Sequence, residues 1–116
     1  MQDHQQLSQA MQKFAERYKD KEDSISIRTM YNRLYYALYH KILHDNPNNR
    51  TLQGKTAGIH SYIKCNNNLQ GFKQQLYNDL YTLRMWADYD IEEKEIKTKN
   101  SFNLFSVLFS GKIIVK

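Results

Sequence analysis

The sequence predicts an all-α protein, an antiparallel bundle of four to five helices. Three observations carry that expectation. Apolar residues recur at three- and four-residue steps over long segments, the period of helices packed on one face. The 116 residues hold four glycines and a single proline, Pro47, too little punctuation for a β sandwich that turns every ~8–12 residues. No alternation of strand and helix patterns, which would build a parallel sheet, is present. The length fits one domain over residues 1–116, with a core at about 3–108 and a tail of unassigned structure at 109–116.

The first helix is expected over Asp3 to about Asp20, where Leu7, Ala10, Met11, Phe14 and Tyr18 share a stripe, and the charged run Lys19 to Asp23 closes it. Asp23 or Ser24 then serves as N-cap for a second helix, Ile25 to about His44. Ile27, Met30 or Tyr31, Leu34, Leu38 and Ile42 form its inner stripe, and Tyr35, Ala37 and Tyr39 widen it. So broad an apolar surface marks a central helix. Asp45, Asn46 and Pro47 end it, because the residue before a proline disfavours the α conformation. A polar connection over 48–57 leads to a short helix from about Ala57 to Lys64, and Asn66 to Asn68 with Gly71 read as loop. The stripe Phe72, Leu76, Leu80, Leu83 and Ala87 predicts a helix over about Phe72 to Ala87, and a last helix is expected from near Glu92 to about Leu108. The ending Lys-Ile-Ile-Val-Lys has strand-like composition.

The net charge is +5, and it is segregated. Residues 24–78 carry seven basic residues against one acid, net +6, and residues 79–95 carry six acids against two basic residues, net −4. A basic stretch of this kind fits either a solvated face or a polyanion such as RNA. The single cysteine, Cys65, allows no internal disulfide and no cysteine-rich zinc site. The Gln-rich start has no apolar run of the kind a signal peptide needs, and Phe102 to Val115 falls short of the ~20 residues of a membrane span. The expectation is a cytoplasmic protein without a membrane partner.

Gly54-Lys55-Thr56 matches only the end of a phosphate-binding loop, with Asn49 where the first glycine belongs. His40 and His44 have the four-residue spacing of a metal clamp, but Lys41 stands where a zinc protease needs its glutamate and no third ligand is in view. His4 reads as part of a frayed end. Arg33, Tyr36, Ala37 and His40 share one helix face, with Arg33 and His40 about 10.5 Å apart along the axis. An always-charged arginine and an imidazole that titrates near neutrality suit RNA cleavage without metal or other cofactor. The imidazole moves a proton and the guanidinium grips the phosphate. The structural alternative pairs Arg33 with a carboxylate such as Asp88 and leaves His40 a satisfied core histidine. Arg84 and Asp88, four residues apart, are expected to pair and to brace the helix end or reach the second helix.

Asn32-Arg33-Leu34-Tyr35-Tyr36-Ala37-Leu38-Tyr39-His40 resembles the Arg-x-Tyr-Tyr-Ala-x-Phe-His signature of small prokaryotic HEPN-domain proteins. Leu83 to Asp90 resembles their Leu-Arg-x-x-Ala-Asp-Tyr-Asp block, and Lys55 to Ser61 is a looser match to their connector. The blocks stand in the family's order and span about residues 24–95. The resemblance implies a helical bundle that forms homodimers and, in many members, a metal-independent endoribonuclease of toxin–antitoxin, phage-defence or CRISPR-linked systems. It implies Arg33 and His40 as catalytic residues at a dimer cleft. Tyr36 and Tyr39 would shape the pocket or stack on a base, Arg28 and Lys41 would be further substrate-binding cations, and Arg84 and Asp88 supporting residues. An antitoxin or a nucleotidyltransferase is the implied partner. The chain departs from the pattern at Leu34, where members often carry a polar residue, at Ile42, where they carry a tyrosine that the nucleotidyltransferase modifies, and at Thr56, where the connector has histidine. The alternative is a non-catalytic RNA- or nucleotide-binding or protein-interaction module.

Overall fold

The widest apolar surface in the sequence becomes the centre of an all-α bundle. The structure, a computed structural model, describes residues 3–53, 61–63, 67–89 and 106–116. Helix α2 spans Ser24–Asp45, and its start is fixed by Asp23, whose extended backbone lets the carboxylate accept from the Ser26 N–H at 2.9 Å. That hydrogen bond holds the Asp23 carboxyl below its usual pKa range. Ile27, Met30, Tyr31, Leu34, Leu38 and Ile42 are buried as the stripe requires, together with Tyr35, Ala37 and Leu43. Each fully buried Leu or Ile on this surface contributes about 1.5–3 kcal/mol.

Helix α1 spans His4–Glu16 and opens with a capping box, in which Gln6 N donates to Asp3 Oδ1 at 2.8 Å and Asp3 N donates to Gln6 Oε1 at 3.0 Å. It ends earlier than Asp20, because residues 17–20 close into turns through Arg17 N to Phe14 O and Tyr18 N to Ala15 O. The buried residues of α1 are Ser8 and Ala15, while Ala10 of the expected stripe is exposed. The reason is the tightness of the crossing. Ser8 Oγ donates to the carbonyl of Ala37 at 2.8 Å, so small residues meet there and the larger ones flank the contact. His4 lies against His40, Ser8 against Ala37 and Phe14 against Arg33, so α1 runs antiparallel to α2.

The connection after α2 contains a helical turn, α3 (Arg50–Gln53), where loop was expected; Leu52 is buried in it. Of the expected helix over Ala57 to Lys64, residues 61–63 are helical and the rest lie outside the described residues. Residues 67–72 are loop as expected, with Asn67 (φ 52°) and Gly71 (φ 57°) in the left-handed region. Helix α4 spans Lys73–Tyr89 and buries Gln74, Tyr77, Leu80, Leu83, Trp86 and Ala87. Its inner face is therefore rotated from the expected stripe, and Phe72 stands 62% exposed ahead of the helix. Gln74 tolerates burial because its amide is fully used: it accepts from Leu69 N and donates to Ile63 O and Asn78 Oδ1. Contacts of Arg28 with Trp86 and of Tyr35 with Tyr77 and Tyr81 set α4 antiparallel to α2. The expected last helix lies outside the described residues apart from its helical end at 106–108.

The apolar tail docks on its own bundle. Leu108, Ile113 and Val115 are buried, and Val115 forms an isolated antiparallel bridge with Leu69, the β pairing found among the described residues. Its anchor is Asn46, the buried C-cap of α2. Asn46 Nδ2 donates to Ile42 O at 2.8 Å and to Ile113 O at 2.7 Å, and its Oδ1 accepts from Val115 N at 2.9 Å. Asp45 Oδ2 accepts from Ile113 N at 2.9 Å, and Lys73 Nζ donates to Ser110 O at 3.0 Å. Among the described residues no helix is long and apolar enough to cross a membrane.

Asn46→Ala strands one buried N–H and two carbonyls, and each unmade hydrogen bond costs on the order of 1 kcal/mol. We expect a loss of about 2–3 kcal/mol in urea unfolding with α-helical circular dichroism retained. A loss comparable to that of an exposed asparagine would contradict the anchoring role.

Candidate functional site

The outer strip of α2 carries the candidate chemistry. At 100° per residue Arg33, Tyr36 and His40 fall within about 60° of one another and about 150° from the middle of the buried stripe. All three are half-buried, because α1 flanks the strip on one side and α4 on the other. They sit at the seams of the bundle, neither in its core nor on an open surface.

Arg33 lies with its guanidinium carbon 5.6 Å from the centre of the Phe14 ring. Among the described residues it makes no hydrogen bond or ion pair, and it lines a groove of about 310 Å³ with Arg28, Asn32 and Asp88. The alternative partner, Asp88, is otherwise engaged. Its carboxylate takes Arg84 Nε at 2.9 Å and accepts from Asn32 Nδ2 at 3.0 Å. Arg84 also reaches Tyr36 Oη at 3.5 Å and lies over the rings of Tyr35, Tyr36 and Tyr89. Burial opposes its charge, but the Asp88 carboxylate and the Tyr36 hydroxyl outweigh it and raise the Arg84 pKa. Arg84 and Asp88 thus bind α4 to α2 beneath the strip. Tyr35, deeper in the same cluster, has its phenol pushed up to about 12 by burial, so it stays a neutral hydrogen-bonding group.

His40 is held by rings. Its plane lies against that of His4, centroids 5.2 Å apart and 27° between planes, and it meets Tyr39 edge-on at 5.1 Å. His40 Nδ1 and His4 Nδ1 are 3.0 Å apart. Burial first, and the neighbouring His4 second, lower the His40 pKa below its ordinary value. His4 is therefore the first helical residue of α1 and a partner of His40, where the sequence suggested a frayed end.

Two predicted substrate-binding cations serve the fold. Arg28 stacks 4.3 Å over Trp86 and donates to the Trp86 and Ala87 carbonyls at 2.9 and 3.2 Å, satisfying the end of α4. Lys41 pairs with Asp45 at 3.1 Å. Of the four cations expected at the site, Arg33 is the one whose charge has no polar partner among the described residues. His44 is exposed on the last turn of α2, beside a polar cleft of about 460 Å³ that also receives Gln5, Gln12 and Lys112. Among the described residues no three His, Cys, Asp or Glu side chains group so as to hold a metal. His60, Thr56 and the Gly54-Lys55-Thr56 segment lie outside the described residues, as does Asp90.

No family model, no curated protein and no solved structure matches this chain. Its function is therefore argued from the strip itself. Two features of that strip were hidden in the sequence. The His4 contact depends on the register of α1 against α2, and the disposal of Arg28 depends on where α4 ends.

Because His40 binds its proton less readily in the folded state, the native protein takes up fewer protons than the unfolded chain as pH falls below 6.5. Stability is full above that pH, declines as pH drops toward the His40 pKa of the folded state, and levels below it. We expect the thermal midpoint to fall over this window and His40→Gln to flatten the slope. An unchanged slope in the variant would place the proton elsewhere.

Proposed function

We propose that this protein is a small HEPN-type, metal-independent endoribonuclease that works as a homodimer, with Arg33 and His40 in the catalytic roles. The observation that carries the reading is the presence on one outer strip of α2 of an arginine with no anionic partner among the described residues and a histidine whose pKa is lowered by burial and by His4. The strip also matches the Arg-x-Tyr-Tyr-Ala signature at Arg33 to Ala37. A neutral His40 suits a general base. It takes the proton of a ribose 2′-hydroxyl as that oxygen forms a bond to the adjacent phosphorus, and the 5′-oxygen leaves with a proton returned by a histidine acting as general acid. Arg33 grips the phosphate and stabilises its developing charge. The ~10.5 Å between the two residues along α2 favours a site completed by two copies that face each other, with Arg33 of one working beside His40 of the other. Tyr36 and Tyr39 flank the strip and offer ring faces to a base. The reading places the protein in the cytoplasm, with an antitoxin or nucleotidyltransferase as its regulatory partner.

The same separation favours a second reading, a non-catalytic RNA- or nucleotide-binding module using the same strip. It predicts salt-sensitive binding through Arg33 without turnover.

The deciding assay incubates the purified protein with RNA in EDTA. Cleavage by wild type and a fall of at least ~100-fold in His40→Ala, with helical content retained, are expected. Cleavage that stops with EDTA removes the metal-independent mechanism. Binding without cleavage leaves the second reading.

A further inference from the structure

The contact between His4 and His40 has a chemical direction. Two nitrogens 3.0 Å apart are at hydrogen-bonding distance. One Nδ1 must therefore carry a hydrogen and the other a lone pair. The surroundings decide which ring carries the hydrogen. His4 is the first helical residue of α1, where the positive end of the helix dipole lies. The partial positive charge of a hydrogen-bond donor is disfavoured by that field, whereas an acceptor is favoured there. Asp3 and Lys41 adjoin the pair in sequence, and each has a partner of its own. The Asp3 carboxylate accepts from Gln6 N, and Lys41 pairs with Asp45. Tyr39 meets the His40 ring edge-on, and His44 is exposed one turn further along α2.

The geometry points to His4 as a positioning residue: its Nδ1 accepts the hydrogen of His40 Nδ1 and so fixes His40 as the tautomer whose Nε2, on the side away from His4, holds a bare lone pair. This is the form a general base needs, since an imidazole with hydrogen on Nε2 has nothing there to take a proton. When Nε2 gains the proton of the substrate hydroxyl, His40 becomes imidazolium, its Nδ1–H still donates to His4, and the added charge is shared along the hydrogen bond. When the proton leaves, the starting tautomer returns. A second proton on the pair would set two N–H groups face to face and break the contact. The fall in the His40 pKa agrees with a neutral resting state. The catalytic consequence rests on the ribonuclease reading, whereas the hydrogen bond itself does not.

The test is long-range proton–nitrogen NMR of the histidine rings in the full chain, run on wild type, His4→Ala and His4→Asn. Wild type should show His40 as the Nδ1–H tautomer. In His4→Ala the ring should move to the Nε2–H form that free imidazole prefers. His4→Asn, whose Oδ1 accepts a hydrogen bond but takes no proton, should restore the Nδ1–H tautomer. Nε2–H on His40 in wild type, or an unaltered tautomer in His4→Ala, overturns the assignment. Cleavage assays on the same variants should show kcat at least about tenfold lower in His4→Ala with KM unchanged and recovery in His4→Asn, a smaller loss than the ~10⁴ seen when a catalytic histidine loses a buried carboxylate partner. A tautomer shift with kcat unchanged overturns the catalytic role of the pairing. The expected NMR result in a protein that cleaves no RNA overturns the ribonuclease reading and leaves the His4–His40 bond standing.

Discussion

A helix that buries one broad face confines its chemistry to what remains, and α2 is such a helix. Nine of its residues are buried between α1, α4 and the loops that follow it. Only a narrow strip stays outside, and what stands on that strip is available to partners. Arg33, Tyr36 and His40 stand there, so the burial that stabilises the bundle also selects and orients the candidate site. The flanking helices add their own groups at the edges: Phe14 and His4 from α1, Arg84 and Asp88 from α4. A change that loosened either seam would disturb the strip even without touching it.

The ends of α2 are tied by polar groups rather than by apolar packing. At its start Arg28 receives the last carbonyls of α4, and at its finish Asn46 receives the tail. Both use fully occupied hydrogen-bonding side chains to meet backbone groups that would otherwise be buried without partners. Arg28 shows how a basic residue beside a candidate site also ties helices together. Its cation is stacked on Trp86 and aimed at carbonyls, whereas Arg33, over the Phe14 ring, has no polar partner among the described residues.

Much of the bundle was legible from spacing, because α2 is long, strongly periodic and bounded by Asp23 and Pro47. The inner stripe Ile27 to Ile42 is buried as read, and both Met30 and Tyr31, between which spacing did not choose, lie inside. The faces of α1 and α4 were legible only in part: Leu80, Leu83 and Ala87 are buried as expected, and the causes of the differences are physical. Periodicity counts apolar residues, but the α1 crossing is set by the small Ser8 and Ala15, and in α4 a glutamine, Gln74, is buried through its hydrogen bonds. The tail was opaque for the same reason: its place depends on the side chain of Asn46, a residue that from sequence only ended a helix. At the site, the common face of Arg33 and His40 and the pairing of Arg84 with Asp88 follow from helix arithmetic. The His4 contact requires the relative register of two helices, which no local pattern encodes.

The Asn46 anchor also shapes how the chain assembles. The residues it joins are 67 and 69 positions apart, far more distant in sequence than the turns within each helix. Closing so long a loop costs entropy, although each doubling of length adds only about 0.6 kcal/mol. The helices draw on local contacts and can form before that closure is made. The hydrogen bonds between Asn46 and residues 113 and 115 thus make a long-range closure over the local ones, a latch between two distant segments.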